Sequence, residues 1–507
     1  MNAMTPPPDK KPRYPAAGKI YYKIPVRLAS PFMIGAGEDE NSDLDVIREA
    51  KWRELSAEAL FPAFMPNAAE ERIFIPASSI VGVFRAFIKD YVIDQNGPQI
   101  ATQLQYLFGE ENSRAEEKTP QSALQCEDAY LDQARVLIRD GVKIDYQSNL
   151  AVEGGKYNYE VVEYPRQQTF DINLEITQRN LGLKNTPPPN VSPEFCRQIM
   201  AALIRGMNAG QIRLGAKTNK GFGKLQVDEK QVQVAVLDFR QPDDVEQWLS
   251  NQPLWKAFNE VSLTPLNVSG GEFRIEAYFQ LKSSLIIRSY SDDPRQPDVV
   301  SMESFEAPVI PGASTMGAIR HRAAKILKTL ECGELQEKMR ELFGFVDEKN
   351  KAAARGRVVI EETPVRDVVK EVQTRIKIDR FTGGTIHGAL FEAMPLWQTG
   401  SGGGGLCLKM TIRGFQDWEA GLFLYILKDL WTGDLAIGGE KNVGRGALKA
   451  FPHKTANESY AAKISWGAEN VKLGVDDKGA PVGEPSDWSK LEKFATAFNE
   501  AMNHATH

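Results

Sequence analysis

The chain has 507 residues, of which 42% are hydrophobic and 25% are charged, and its formal net charge is -6. This composition predicts two or three domains with hydrophobic cores, and no apolar run approaches the roughly 18 residues of a membrane-spanning helix. The acidic balance argues against a strongly basic protein that binds nucleic acid over its whole surface. Any nucleic-acid partner must therefore be bound by local clusters of basic residues.

The termini and cysteines predict a cytoplasmic protein. Residues 1–18 lack the apolar core of a signal peptide and predict a flexible, Pro-rich tail. Four cysteines lie far apart without CxxC spacing, which predicts buried thiols in a reducing compartment and gives no zinc signature. They are Cys126, Cys196, Cys332 and Cys407.

The N-terminal part of the chain predicts a strand followed by an acidic loop. Residues 19–37 alternate apolar and polar side chains and end in a Gly-containing turn. Carboxylates are too dense in the next segment for a packed element, and this loop contains Asp43 and Asp45.

A strand, a turn and a helix are predicted twice, over residues 73–92 and again over residues 309–327. In each segment an apolar run ends in Pro, and small or hydroxyl residues precede apolar residues at helical spacing. The N-terminus of such a helix carries unpaired N–H groups and partial positive charge, so it can bind a phosphate; an ordinary capped helix is the alternative. The candidate phosphate contacts are Ser78, Ser79, Arg85, Ser314, Thr315, Arg320, His321 and Arg322.

The two segments belong to a longer internal repeat. Pro76 and Pro311 are 235 residues apart, and the LFG sequences at 107–109 and 342–344 have the same offset. Gly-rich stretches at 214–227 and 437–450 align at an offset of 223. Landmarks in one order predict two homologous domains, called here the first and second repeat.

Each repeat continues with the same succession of elements. An acidic-tipped strand, at Glu127 and Asp128 or at Glu361 and Glu362, precedes a long hairpin, a strand, a helix and the Gly-rich loop. This order predicts an α+β fold of two tandem, modified ferredoxin-like (RRM-like) βαββαβ domains with inserted hairpins. The predicted boundaries are 19–228 for the first domain, 229–270 for a linker with a helix, 271–452 for the second domain, and 453–507 for a C-terminal hairpin and amphipathic helix.

The Gly-rich loops combine glycines, which allow close approach of the backbone to a polyanion, with basic side chains. A flexible surface turn is the alternative interpretation. The candidate contacts are Lys217, Lys220 and Lys224 in the first repeat and Lys441, Asn442 and Arg445 in the second.

Taken together, these motifs resemble the RAMP superfamily, and specifically the backbone subunits of type III CRISPR effector complexes. The strongest similarities are VIPGAS, RIKIDRFTGGTIHGALFE and IGGEKNVGRG in the second repeat, and IPASS and LGAKTNKGFG in the first. The segment DLDVIR departs from the family's D-x-P-V-I-R/K pattern, with Asp45 where the family has Pro. A chain with two copies is most similar to the fused double subunits of type III-D systems.

The resemblance implies a cytoplasmic ribonucleoprotein of antiviral defence. Its expected partners are a guide (CRISPR) RNA, a target RNA, other RAMP subunits and a large polymerase-like subunit. In the family a thumb hairpin interrupts the guide–target duplex, and apolar side chains suit such a wedge. Packing against a neighbouring domain is an equal alternative for the candidates Tyr157, Tyr159, Leu390, Phe391, Met394 and Trp397.

The resemblance also implies an endoribonuclease that cleaves target RNA with an Asp in the loop after the first strand. Register to the family pattern selects Asp43 in the first repeat and Asp298 in the second, with Asp45, Asp292 and Asp293 as alternates. Such a carboxylate can bind a divalent metal ion, with Mg²⁺ expected, or assist attack by a ribose 2′-hydroxyl. A non-catalytic scaffold and a guide-processing endonuclease are the alternatives, the second less favoured because the chain has only five His.

Overall fold

The computed structural model describes residues 16–34, 64–66, 71–96, 98–109, 122–145, 150–179, 192–258, 266–268, 271–290, 295–347, 350–399, 405–454, 458–476 and 479–503. Of the predicted N-terminal tail, residues 1–15 lie outside this part of the chain, and residues 16–18 belong to the first strand. Within the described ranges, no helix combines the length and apolar character needed to cross a membrane.

The first half of the chain alternates strands with helices. Its helices are α1 (Ala77–Tyr91), α2 (Ile93–Asn96), α3 (Pro98–Phe108), α4 (Pro193–Asn208) and α5 (Pro242–Leu249). Its strands are β1 (Ala16–Leu28), β2 (Phe64–Pro66), β3 (Glu71–Ile75), β4 (Leu124–Cys126), β5 (Ala129–Leu131), β6 (Arg135–Ile144), β7 (Ala151–Glu163), β8 (Phe170–Arg179), β9 (Leu225–Val227), β10 (Gln233–Asp238) and β11 (Lys256–Ala257).

The second half has the same alternation. Its helices are α6 (Gly312–Thr329), α7 (Leu335–Phe343), α8 (Asp417–Thr432) and α9 (Pro485–Asn503). Its strands are β12 (Glu272–Leu281), β13 (Ser284–Leu285), β14 (Arg288–Tyr290), β15 (Val299–Ser301), β16 (Glu303–Ser304), β17 (Ala307–Ile310), β18 (Gly344–Asp347), β19 (Ala352–Arg355), β20 (Val358–Ile360), β21 (Thr363–Pro364), β22 (Val368–Lys370), β23 (Gln373–Ile378), β24 (Thr385–Ala393), β25 (Leu396–Gln398), β26 (Leu406–Arg413), β27 (Leu448–Ala450), β28 (His453–Lys454), β29 (Ser459–Tyr460), β30 (Ala462–Trp466), β31 (Glu469–Val475) and β32 (Pro481–Val482).

The two main sheets have matching strand orders. The first sheet runs β11-β10-β1-β8-β4, and β9 pairs with the end of β1. The second runs β32-β31-β30-β12-β26-β20, and β27 pairs with the end of β12. The paired neighbours in both sheets are antiparallel. Both predictions, an internal repeat and a mixture of helices and sheet of the α+β class, therefore agree with the structure.

Alternation of side chains places the core on one face of each sheet. In β1 every second residue from Ile20 to Leu28 is buried, as the period of a strand requires. Helix α4 covers this face, and the hydroxyl of its N-cap residue Ser192 accepts a hydrogen bond from the Phe195 N–H at 3.1 Å. The segment 229–270 contains the predicted helix and also β10, which extends the first sheet.

The C-terminal segment extends the second sheet in the same way. Strand β30 pairs with β12, and α9 packs on α8 through a stripe of buried apolar residues. The two helices approach closely at Gly421, where an added Cβ would lie 2.2 Å from the Phe494 carbonyl oxygen. The predicted amphipathic helix thus packs on its own repeat.

We expect Gly421→Val to destabilise the second repeat by roughly 1–3 kcal/mol, because the new side chain must push α9 away from α8. Chemical denaturation monitored by circular dichroism measures the effect. Gly317→Ala is the matched control, because that helical glycine has open space around its Cβ position and the change should be neutral or stabilising. Equal stability of the two variants would contradict the assigned packing.

Candidate nucleic-acid interface

The Gly-rich loop of the first repeat lies against the second repeat. Gly221 has φ of +97°, and a Cβ there would lie 2.5 Å from the backbone nitrogen of Glu362. A Cβ on Gly312, the first residue of α6, would lie 2.2 Å from the Lys220 carbonyl oxygen. Only glycine fits this backbone conformation and these two close approaches. The loop of one repeat and the helix N-terminus of the other, predicted separately, therefore meet at one junction.

Two cations come together at this junction. Lys220 is half-buried, and burial followed by the nearby charge of Arg320 lowers the pKa of its ammonium group. Arg320 is exposed on α6, while Ser314 and His321 on the same helix are half-buried. Like charges held together favour an anion between them, and the N-terminus of α6 adds partial positive charge. This junction is the strongest candidate for a phosphate contact.

A partly buried ionic network holds the two repeats together beside the junction. The Arg213 guanidinium donates to Glu361 at 2.7 Å, and Lys224 Nζ donates to both oxygens of the same carboxylate at 2.9 Å. Burial alone would raise the pKa of Glu361, but the charges of Arg213 and Lys224 outweigh it, so that the pKa is lowered. Lys224, predicted as an RNA contact, instead serves this contact between the repeats.

A second ionic contact lies at the base of the β6–β7 hairpin. Arg139 Nη1 donates to Glu362 at 2.6 Å, and Nη2 donates to the Ser304 hydroxyl at 2.9 Å. Glu163 accepts from the same hydroxyl at 3.0 Å and from the Phe305 N–H at 3.1 Å. All three charged side chains are buried. The hairpin of the first repeat is therefore fixed to the second repeat.

The equivalent loop of the second repeat divides into an exposed tip and a buried arm. Lys441 and Asn442 at the tip are exposed. Arg445 is 3% exposed, and it donates to Glu440 at 2.8 Å and to Ser284 at 2.6 Å. This corrects the prediction that Arg445 contacts RNA, because its guanidinium is paired with Glu440 inside the repeat. Lys441 and Asn442 are accessible to a ligand.

The hairpin of the first repeat has a buried base and an apolar outer part. Tyr159 is buried against Phe222, and the Lys217 ammonium lies 3.7 Å from the Tyr159 ring centroid and 5.4 Å from that of Tyr157. This corrects the expectation that Tyr159 is a wedge, and Tyr157 lies beside it in tilted contact. The exposed large apolar residues in the described part of the hairpin are instead Val136, Ile138, Val142, Ile144, Leu150 and Val152.

The hairpin of the second repeat, β23–β24, exposes more apolar surface. The wedge candidates Leu390 and Phe391 are exposed, and Phe381 near the turn is 99% exposed. Met394 follows β24 and is half-buried. Trp397 lies in β25, which pairs with β13 and β22, so it is not part of the hairpin.

Helix N-terminal residues separate into accessible and structural groups. Ser78 is exposed and Ser79 is half-buried at the start of α1, while Arg85 donates to the Gly109 carbonyl at 2.8 Å. Arg322 donates to the buried Asp429 carboxylate at 2.6 Å and serves packing. Thr315 is 0% exposed, which corrects its assignment as a ligand contact.

Of the candidate catalytic carboxylates, Asp298 alone falls within the described residues. It is exposed beside β15 at the base of the β23–β24 hairpin, where it accepts a hydrogen bond from the Glu392 N–H at 3.4 Å. Strand β15 pairs there with the end of β24. Asp43, Asp45, Asp292 and Asp293 lie outside the part of the chain that the structure describes. Across that part, no group of three or more His, Cys, Asp or Glu could hold a metal ion.

Four residues of the ionic network had no assigned role in the sequence analysis: Arg139, Arg213, Glu361 and Glu362. The acidic pair was visible as a tip repeated in both halves of the chain, but its partners lie far away in sequence. No periodicity connects Arg213 with Glu361. The recurrence of the acidic pair is the signal that could have selected these positions.

Comparison with models of protein families gives a match over both repeats. A family model described as RAMP superfamily matches residues 26–226 and 262–449. The first region includes β4 and β8 of the first sheet, and the second region includes β12, β20 and β26 of the second sheet. No curated protein matches the chain.

We expect Glu361→Ala to destabilise the protein by roughly 3 kcal/mol, because Arg213 remains buried without its carboxylate partner. Denaturant titration at neutral pH measures the difference from the wild type. The difference should shrink as pH falls through the lowered pKa of Glu361, since the wild-type carboxylate then loses its charge. Lys472→Ala, which removes an exposed ion pair, is the control and should have a much smaller effect. A Glu361→Ala protein as stable as the control variant would refute the role of the network.

Proposed function

The chain belongs to the RAMP superfamily, whose members are CRISPR-associated RNA-binding proteins, and we propose that it is a guide-RNA-binding backbone subunit of a type III effector complex. In this proposal it is a fused, type III-D-like subunit built from two tandem βαββαβ domains. It holds the guide–target RNA duplex together with other RAMP subunits and a large polymerase-like subunit. It also cleaves target RNA at two sites, one in each repeat.

The observation that carries the RNA-binding proposal is the pair Lys220 and Arg320 at the junction of the repeats. The Lys220 backbone lies against Gly312 at the start of α6, and Arg320, eight residues further along that helix, is near enough for its charge to lower the pKa of Lys220. A phosphate of the guide backbone would neutralise both charges. Because such contacts do not read bases, they suit a guide of variable sequence.

The two hairpins support the wedge proposal. Each exposes apolar side chains on a β-ribbon, among them Ile138 and Val142 in the first and Phe381 and Leu390 in the second. Insertion of apolar groups between bases costs a few kcal/mol per unstacked step, which contacts along the strand can offset. The proposal thus moves the wedge of the first repeat from Tyr159 to the outer part of the same hairpin.

The position of Asp298 supports the cleavage proposal. An exposed carboxylate at the base of a hairpin that displaces a nucleotide is well placed to accept a proton from a ribose 2′-hydroxyl. Asp43 is proposed for the equivalent role in the first repeat. Mg²⁺ is proposed as the accompanying ion, although the described residues do not supply Asp298 with further ligands, and no step of the reaction is assigned to it. A scaffold without catalytic activity is the second candidate, and it is favoured by the sequence around Asp298, which departs from the family's D-x-P-V-I-R/K pattern.

We expect the double variant Lys220→Ala/Arg320→Ala to bind guide RNA more weakly than the wild type. The slope of log K against log salt concentration should fall by the equivalent of about two phosphate contacts, and the sequence preference should not change. Fluorescence anisotropy with guides of two unrelated sequences, over a series of salt concentrations, measures both quantities. The control is Lys325→Ala/Lys328→Ala, which removes the same charge from the exposed distal part of α6. Identical salt slopes for the two double variants would exclude the junction as a phosphate site.

We expect Asp298→Asn to remove one band from the target-RNA cleavage ladder of the assembled complex, and Asp43→Asn to remove another, while target binding is retained. Denaturing gels with end-labelled target RNA resolve the bands. Glu371→Gln, a change in another exposed carboxylate of the second repeat, is the control and should leave the ladder intact. If both aspartate variants preserve the full ladder, the chain is a scaffold and other subunits cut.

A further inference from the structure

The first repeat has an acidic cleft on one of its surfaces. The equivalent surface of the second repeat is the one that binds the first repeat. Glu127 follows β4 as Glu361 follows β20, and their backbone nitrogens donate to equivalent carbonyls, those of Asn173 at 3.2 Å and Lys409 at 3.1 Å. The strand pairings β4–β8 and β20–β26 give the same correspondence. Glu127 is therefore the structural counterpart of the carboxylate that binds Arg213 and Lys224.

The cleft around Glu127 is open and strongly acidic. It encloses about 530 Å³, and its lining contains four carboxylates but no Lys or Arg from the described residues. The lining residues are Glu127, Asp128, Tyr130, Asp132, Tyr164, Thr169, Phe170, Asp171 and Asn173. Glu127 and Asp128 are exposed, whereas their counterparts Glu361 and Glu362 are covered by basic side chains of the first repeat. The second repeat thus shows which chemistry such a surface binds.

The second repeat does not carry the basic residues that would fill this cleft. Matching backbone hydrogen bonds, Leu214 N–H to Gly223 at 2.9 Å and Ile437 N–H to Gly446 at 3.0 Å, align the two Gly-rich loops. In that register the counterparts of Arg213 and Lys224 are two alanines, Ala436 and Ala447.

The hairpins give a third difference of the same kind. The β6–β7 ladder shifts register between Val142 and Ile144, and the β23–β24 ladder shifts between Ile376 and Ile378. When the two hairpins are aligned at this register shift, Gln373 of the second repeat is the counterpart of Arg139, which binds Glu362 in the first. The counterparts of Arg139, Arg213 and Lys224 in the second repeat are therefore all uncharged.

We propose that the Glu127–Asp128 cleft docks the Gly-rich loop of a different RAMP-type subunit, one with basic residues at the positions of Arg213 and Lys224, and that two copies of this chain do not join through it. This inference rests on the proposed role as a subunit of a larger assembly. The acidic cleft of the first repeat needs a basic partner, and the second repeat lacks the basic residues to be that partner. Each of the two surfaces is therefore restricted to a different neighbouring subunit. The chain accordingly occupies a fixed place in the assembly and does not form a filament of itself.

The test restores the missing charges and measures self-association of the full-length chain without RNA. Sedimentation velocity at low salt should find the wild type monomeric. The variant Ala436→Arg/Ala447→Lys should form head-to-tail oligomers that dissociate at high salt, and adding Glu127→Lys should weaken their association at least about tenfold. The uncharged variant Ala436→Gln/Ala447→Gln should remain monomeric, which controls for side-chain size. Circular dichroism verifies that each variant is folded.

Two outcomes would overturn the inference: wild-type oligomers that Glu127→Lys disrupts, or a folded basic variant that stays monomeric at low salt. If the basic variant does not fold, the single variant Glu127→Lys tests the docking site in a complex reconstituted from purified subunits. It should then lose the neighbouring RAMP-type subunit while the isolated chain keeps its affinity for guide RNA, and retention of that subunit would refute the docking site. Because the sedimentation experiment contains no RNA, failure of the RNA-binding proposal is recognised separately.

Discussion

The ion pairs that the half-buried carboxylate of Glu361 forms with Arg213 and Lys224 are the interaction on which the arrangement of the two repeats depends. A carboxylate removed from water needs cationic partners with good geometry, and here both partners come from the other repeat. Because Arg213 and Lys224 flank the Gly-rich loop, their attachment to Glu361 also fixes the loop on α6. The same contact therefore brings Lys220 to Arg320, and the candidate phosphate site is a consequence of how the repeats dock.

The two repeats share a fold but use equivalent surfaces differently. In the first repeat, the base of the hairpin and the Gly-rich loop are covered by the second repeat. In the second repeat, Lys441 and the hairpin residue Phe381 are exposed. The acidic tips show the reverse, with Glu361 covered and Glu127 open. Each repeat thus presents one face that the other has buried, which is the geometry of successive units in an open, head-to-tail arrangement.

Local structure was predictable from the sequence because its causes are local. Pro followed by small residues marked the starts of α1 and α6, and the predicted C-terminal amphipathic helix corresponds to α9, where Leu491, Phe494 and Phe498 are buried. Basic residues were harder to interpret, since Arg445 and Lys441 lie in one loop but only Lys441 is exposed. The burial of Thr315 was equally hard to predict. Its position in the first turn of α6 suggests an accessible hydroxyl, but other parts of the protein cover that turn. Contacts such as Arg139 with Glu362, 223 residues apart, depend on docking that no local pattern encodes.

The distribution of charge explains how a chain with a formal net charge of -6 can bind RNA. Glu361, Glu362 and Glu440 are each paired with arginines inside the protein, so they contribute little negative potential outside it. Among the described residues, the cleft at Glu127 brings four carboxylates together at the β4 edge of the first sheet. The cations Lys220 and Arg320 lie at the junction of the repeats. Opposite charges on separate surfaces allow a polyanion and a basic protein partner to bind the same chain without competing for the same residues.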